Sequence, residues 1–222
     1  RELIGRQASG TNFGNVRRQG RDLAQMPLAN RARAVWGRLP ELIGEDLEFV
    51  PWGHLRVCYT EAQAAVLERH ARDVEPFGLE LELLGAEALR RRFRIFAPGV
   101  IAGSLSPRDG HANPRLAGPA FARAAVRAGA QVIERAEVHH VERDGTGFVA
   151  HTAEGARHRG EQLLVCCGAW SNRIASLFGE AVPMDARGPQ MGVTEPLPYA
   201  ILPSIGLSSP IETEGMYFRQ IR

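Results

Sequence analysis

At 222 residues, with 44% hydrophobic and 23% charged side chains, the sequence has the composition of a globular protein that buries one large or two small cores, which excludes a disordered chain. A formal net charge of +2 gives no electrostatic case for a nucleic-acid partner. No apolar run approaches the roughly 20 residues of a membrane-spanning helix, and no charged-then-apolar leader is present, so a cytoplasmic setting is the expectation.

The first segment, "ASGTNFGNVRRQGR" at residues 8–21, gathers glycines, asparagines and arginines around Phe13 and Val16, which is not a core element. On its own it reads as a glycine-rich anion cradle, a surface loop or an arginine-rich patch. Residues 22–39 read as a helix with Pro27 in its first turn or at a kink. Residues 47–50 and 54–59 read as strands around the turn "PWG". Thr60 and Gln63 form a capping-box pattern opening a helix to about Val74, and a shorter helix spans residues 86–93. Asn113, Pro114 and Gly129 mark the cap, first position and close of a third long helix, in which Pro119 implies a bend or a later start.

Beyond that helix, "AQVIE" reads as a short strand, and residues 137–155 as two strands around an Asp144-Gly145 turn. "EQLLVCCGAWS" suits a strand buried on both faces that ends where something binds. "MGVTEP" and "GMYFRQIR" are the last strand candidates. The fold class is therefore mixed α/β, with parallel segments interrupted by an antiparallel layer. Cys58, Cys166 and Cys167 have neither disulfide-framework nor zinc spacing and read as reduced, mostly buried thiols. The seven histidines are scattered, with His139 and His140 on opposite strand faces, and no metal site is expected.

Four separated segments, in order, resemble the D-amino acid oxidase family of FAD-dependent oxidoreductases, which includes glycine oxidase and subunits of sarcosine and opine oxidases. "ASGTNFGNV" is similar to the family loop that wraps the pyrophosphate and flavin. "SPRDGHANPRLAGPAFARAAVRAGAQV" resembles its "DG…P…Ga.v" passage. "AEVHHVERDG" with "LLVCCGAWSNRIASLFG" resembles two strands of the FAD domain, and "ARGPQMGVTEP" with "MYFRQ" resembles strands of the substrate domain.

The resemblance implies a Rossmann-like FAD-binding domain, incomplete at its N-terminus, interleaved with an antiparallel-sheet substrate domain. Residues 1–45 and 106–185 then belong to the FAD domain, and residues 46–105 and 186–222 to the substrate domain. It also implies that the chain is the middle of a longer protein: the GxGxxG strand and the acid that binds the adenosine ribose would precede Arg1, with Glu2 a poor stand-in.

By the same resemblance FAD contacts fall on Arg1, Ala8, Ser9, Phe13, Gly14, Asn15 and Val16, with a side chain at Gly14 obstructing the flavin. Val138, Cys167 and Gly168 would also reach the cofactor, although Val138 is equally read as a plain strand valine. Tyr217 matches an active-site tyrosine able to hold a substrate carboxylate or amine, and Arg219 stands two residues along; the alternatives are a half-buried strand tyrosine and a surface charge. Arg17, Arg18 and Arg21 would steer an anionic substrate or cap the FAD phosphates, or lie in solvent. The activity implied is oxidation of the C–N bond of a small amine or amino acid by hydride transfer to flavin, with further oxidase subunits as partners. The rival readings are a non-catalytic subunit that keeps the fold without holding FAD, and a flavoprotein acting on glycerol 3-phosphate.

Overall fold

The computed structural model describes residues 3–188, 190–208 and 215–221. Arg1, the first expected cofactor contact, and Glu2 lie outside the described residues. In chain order the helices are α1 (Ala8–Thr11), α2 (Met26–Trp36), α3 (Leu39–Ile43), α4 (Glu61–Val74), α5 (Ala86–Arg92), α6 (Pro114–Arg127) and α7 (Ser171–Ala175). The strands are β1 (Asn15–Val16), β2 (His54–Cys58), β3 (Glu82–Gly85), β4 (Ala102–Ser106), β5 (Gly110–His111), β6 (Val138–Asp144), β7 (Gly147–Thr152), β8 (Arg157–Gly160), β9 (Ser204–Leu207) and β10 (Tyr217–Phe218). The chain divides into two units, Gly5–Ala130 with Leu197–Arg222, and Arg1–Ile4 with Gln131–Pro196.

The larger unit is built on a five-stranded sheet of order β10-β9-β2-β4-β3, in which β2 and β9 run parallel and the other neighbours antiparallel. Side chains alternate across a strand, so Leu55, Val57, Leu105 and Ile205 point one way, and the polar residues of "HLRVC", "AGSLS" and "SIGL" point the other. Leu55, Val57, Leu105 and Ile205 pack with Leu89 and Val100 as the main core cluster. Burying each such side chain is worth about 1.5–3 kcal/mol, which makes this face the main anchor of the unit. The opposite face carries His54, Arg56, Ser104, Ser106 and Ser204.

The helices that frame the sheet start where their caps allow. Thr60 accepts a hydrogen bond from the Gln63 amide (3.3 Å), while the Gln63 side chain accepts one from the Tyr59 amide (2.8 Å), a reciprocal cap displaced by one residue from the usual box. The Asn113 side chain accepts from the Arg115 amide (3.0 Å) and Pro114 occupies the first position of α6. Gly129, at φ +96°, closes α6. Pro119 does not delay the helix: α6 runs unbroken through it, and its ring packs over the turn at Gly5, where an added Cβ would stand 3.1 Å from Pro119 Cδ.

The smaller unit holds the three-stranded antiparallel sheet β6-β7-β8. Asp144 pairs with Gly147, leaving Gly145-Thr146 as a two-residue hairpin loop with only Gly145 at positive φ, the arrangement of a type II′ turn. Phe148 meets Phe178 edge to face at 5.6 Å, and Arg143 lies over both rings.

Several expected elements differ. The helix expected over residues 22–39 is a 3-10 turn, Leu23–Gln25, followed by α2 with Pro27 in its first turn, and α3 is separate. Residues 47–50 form no strand: Val50 alone bridges to His111, because Glu48 at φ +54° breaks the extended backbone before it. Residues 130–134, 162–167 and 191–196 are irregular rather than strands, and Leu164 (86%) and Val193 (84%) are exposed. A strand needs a neighbour for its amides and carbonyls, and no described residue pairs with these three segments. Cys166 and Cys167 are accordingly exposed, and only Cys58 is the buried thiol expected. Among the described residues no helix is long and apolar enough to cross a membrane.

Candidate functional site

The polar face of the large sheet is the place where the sequence departs from a core. One row across it runs Tyr217, Gly206, Arg56, Ser104; the next runs Ser204, His54, Ser106. A Cβ on Gly206 would stand 2.6 Å from Tyr217 Cε1, so the glycine is what lets the tyrosine ring lie across the strand. Over this face comes the chain after β1. Gln19, fully buried, donates to the Ser104 carbonyl (3.0 Å) and Oγ (2.8 Å), which fixes its amide and leaves its Oε1 to accept from His54 Nδ1 (3.0 Å). In the neutral ring this bond places the lone pair on Nε2, and that buried nitrogen has no partner among the described residues.

Burial, reinforced by the nearby Arg17 and Arg56 guanidinium groups, lowers His54 to a pKa of about 3. His111, buried beside Arg219, is lowered to about 4. A histidine whose folded pKa lies below its unfolded value contributes its full stability above about pH 6.5, and that stability is lost as pH falls toward the folded value. The expected result is a protein that loses roughly 1.4 kcal/mol per pH unit for each such histidine between pH 6.5 and about 4. Urea midpoints measured over that range should show the loss, and His54→Gln should flatten it; an equally steep acid limb in the variant would rule His54 out as its cause.

The loop of residues 8–21 is organised by its own polar atoms. Asn12 donates to the carbonyls of Ala8 (3.0 Å) and Ser9 (2.8 Å) and accepts from the Gly14 amide (2.8 Å), which turns the chain out of α1 and into β1. Gly14 sits at φ +76°, and a Cβ on it would stand 2.3 Å from the Ala112 carbonyl oxygen. Asn15 and Val16 pair with His111 and Gly110 in the β1-β5 ladder, and Asn15 Oδ1 is buried with no partner among the described residues. Downstream, Asp109 is fully buried and accepts from the Arg18 and Gln19 amides (2.8 and 3.0 Å) and from Arg18 Nε (3.0 Å).

Two groups named from the sequence meet here. Phe13 packs edge to face on Tyr217 at 6.3 Å, and the Arg219 guanidinium lies 5.5 Å over the Phe13 ring while its Nη1 contacts His111 Nδ1 at 2.8 Å. Burial pushes the Arg219 pKa below its usual range, with Tyr199 and Glu48 opposing. Ala8, Ser9, Gly14, Asn15 and Val16 lie on the same short segment. Val138, Cys167 and Gly168 belong to the other unit: Val138 opens β6 beside a bulge, and Cys167 precedes a 3-10 turn that starts at Gly168, whose φ is +55° with open space around it. Arg18 is committed to Asp109 and is structural, whereas among the described residues the Arg17 side chain bonds only the Gln19 carbonyl, and Arg21 is exposed.

Sequence reasoning missed Gln19, His54, Arg56, Ser104 and Ser204. For the strand residues the signal was present as the polar members of alternating strands, His54/Arg56, Ser104/Ser106 and Ser204, none of which belongs to an apolar core pattern; Gln19, on a turn, carried no such signal.

Residues 1–222 match the family described as FAD dependent oxidoreductase. The chain is 30% identical over 161 residues to 4-methylaminobutanoate oxidase (formaldehyde-forming) of Paenarthrobacter nicotinovorans, covering 72% of this chain and 19% of that protein. It is 29% identical over 179 residues to glycine oxidase of Geobacillus kaustophilus, covering 78% of this chain and 47% of the relative. The crystal structure of that glycine oxidase superposes with a TM-score of 0.75 at 26% identity, over 80% of this chain and 50% of the other. The chain thus spans less than half of either relative's sequence and carries part of a Rossmann-like, mixed α/β oxidoreductase fold.

Proposed function

Because the chain belongs to the FAD-dependent oxidoreductase family, we propose that the loop of residues 8–16 is a wall of a flavin site and that the protein oxidises the C–N bond of a small amine or amino acid. The observation that carries this reading is the meeting of Phe13 and Gly14 on the loop with Tyr217 and Arg219 from the far end of the chain. The residues fit the cofactor: the orphaned Asn15 Oδ1 is an acceptor for an N–H or O–H of the ring or its sugar chain, and the loop offers the backbone of Ala8, Ser9 and Val16. For Val138, Cys167 and Gly168 the cofactor role rests on the family resemblance alone. In domain terms, residues 1–45 and 106–185 serve the cofactor, and 46–105 and 186–222 the substrate.

FAD, when bound, accepts a hydride from the carbon next to the substrate nitrogen, and the protein's work is to orient that carbon and set the nitrogen's protonation. Tyr217 offers a hydroxyl at the edge of the polar face, where it can hold a carboxylate or amine. An ammonium ion cannot release a hydride from its neighbouring carbon, so the amine must be neutral. Arg17 and Arg56, the guanidinium groups beside Tyr217, favour that neutral form by repelling the charged one. His54 and His111, both held neutral, add no competing positive charge at pH 7.

Tyr217→Phe tests the assignment. Losing one hydrogen bond to a charged substrate group is worth about 1.5–3 kcal/mol, so KM for the amine should rise about tenfold or more. Flavin content, read from the visible spectrum after desalting, should match the parent protein. Unchanged kinetics would remove Tyr217 from the substrate site.

A further inference from the structure

Arg17 and Arg56 converge on one point, with no acid between them among the described residues. A Cβ placed on Gly20 would stand 3.1 Å from Arg17 Nη1 and 3.2 Å from Arg56 Nη1, so the two nitrogens are no farther apart than the sum of those distances. Among the described residues no carboxylate lies within ion-pair distance of either: Asp109 is taken by Arg18, and Arg17 bonds only the backbone carbonyl of Gln19. Arg56 Nε is buried with no partner among the described residues. Like charges brought together out of water are costly unless something neutralises them. Burial pushes the pKa of both below the usual range, with Arg21 and Arg56 adding to the effect on Arg17; Tyr217 opposes it at both, and Asp109, held by Arg18, opposes it at Arg17 as well.

The two arginines are half-buried rather than part of a solvated charge run. His54, fully buried, feels both guanidinium groups, and its Nε2 has no partner among the described residues. The hydroxyls of Ser106, Ser204 and Ser208 are buried and have no partner among the described residues either. From α4, His70 closes the edge by accepting the Gly20 amide at 2.9 Å, which commits its Nε2 lone pair and keeps it from adding a charge. Arg219, two residues from Tyr217 and set against Phe13 and His111, is a third cation, and no ion pair joins it to an acid among the described residues. A substrate with a single carboxylate leaves most of this positive charge uncompensated.

From this arrangement we infer that Arg17 and Arg56 form an anion clamp beside Tyr217 and that the amine substrate carries two acidic groups, one of them held by this pair. The inference rests on the reading of this face as the substrate side of an amine-oxidising site. The chemical class is a dicarboxylic amine, in which two planar carboxylates meet planar guanidinium groups.

The test compares sarcosine with iminodiacetate, which differ by a carboxylate in place of a hydrogen on the N-substituent, in the flavin-loaded protein. The expected result is a kcat/KM at least about tenfold higher for iminodiacetate, a preference that collapses toward one in Arg56→Gln and, as a second variant, in Arg17→Gln. A parent protein that prefers sarcosine, or variants that keep the preference, would overturn the clamp. Loss of flavin in both variants would assign the arginines to the cofactor phosphates and overturn it equally. A second readout needs no turnover: succinate should raise the melting temperature of the parent and not of Arg56→Gln, and butyrate should do neither. If no amine is oxidised but succinate still stabilises only the parent, the clamp stands and the amine-oxidase reading fails. Stabilisation by inorganic phosphate and not by succinate would instead point to a phosphate ester and overturn the dicarboxylate.

Discussion

Asp109→Ala is expected to cost about 3–5 kcal/mol of stability, the range for breaking a buried ion pair by removing one partner. The carboxylate is fully buried and takes three hydrogen bonds, two from consecutive backbone amides and one from Arg18. Deleting it strands the Arg18 charge, whose side chain is 9% exposed, and leaves the Arg18 and Gln19 amides without their acceptor. The effect spreads because the Asp109 carbonyl also accepts the Gly53 amide (2.8 Å), tying the start of β2 to the same point. Arg17 and Gln19 flank the anchored residue, so the variant should also disorder the polar face. Urea unfolding of parent and variant measures the cost. A double variant, Arg18→Met with Asp109→Leu, should recover a large part of it, because the stranded charge is gone. A single variant within 1 kcal/mol of the parent would show that the pair is not the anchor described.

Gly14→Ala should cost about 2–4 kcal/mol, combining the left-handed backbone penalty for a residue with a Cβ and the overlap of that atom with fixed neighbours. The neighbours are the Ala112 carbonyl at 2.3 Å, Arg219 Nη2 at 3.0 Å and Pro114 Cδ at 3.1 Å, two of them on backbone or a ring that cannot swing aside. The requirement for glycine therefore arises first from the chain's own packing, and obstruction of the flavin comes on top of it. Gly168→Ala is the control: its φ is +55° but nothing lies within 4 Å, so only the backbone penalty of about 1–2 kcal/mol applies. Equal losses in the two variants, by urea midpoint, would contradict the crowding argument. Flavin loss in Gly14→Ala alone does not separate cofactor contact from a displaced loop, which is why the cofactor assignment is tested at Tyr217.

Much of the frame was legible because it is written in local chemistry. The caps at Thr60 and Asn113, the glycine closing α6 and the Gly145 hairpin follow from residues within a few positions of one another. The failures come where the outcome depends on a distant partner. Residues 162–167 have the composition of a buried strand, yet a strand is fixed by its neighbours and none is present among the described residues. Arg18 and Asp109 are separated by 91 positions, so nothing local distinguished Arg18 from Arg17 in the same run. Family resemblance named Phe13 and Tyr217 separately, one as a cofactor contact and the other as an active-site tyrosine; that the two rings meet is visible only in the structure. His54 and Arg56 were overlooked for the opposite reason: the strand was read correctly, but its polar face was not read as a surface with work to do.

The account stands or falls on one measurement: anaerobic mixing of the flavin-loaded protein with glycine, sarcosine, D-alanine and iminodiacetate, followed at the visible flavin band, with glycerol 3-phosphate as the comparison. Bleaching by one or more of the amines and none by glycerol 3-phosphate is the predicted result. Bleaching by glycerol 3-phosphate alone, or a flavin that none of the amines reduces, would contradict it.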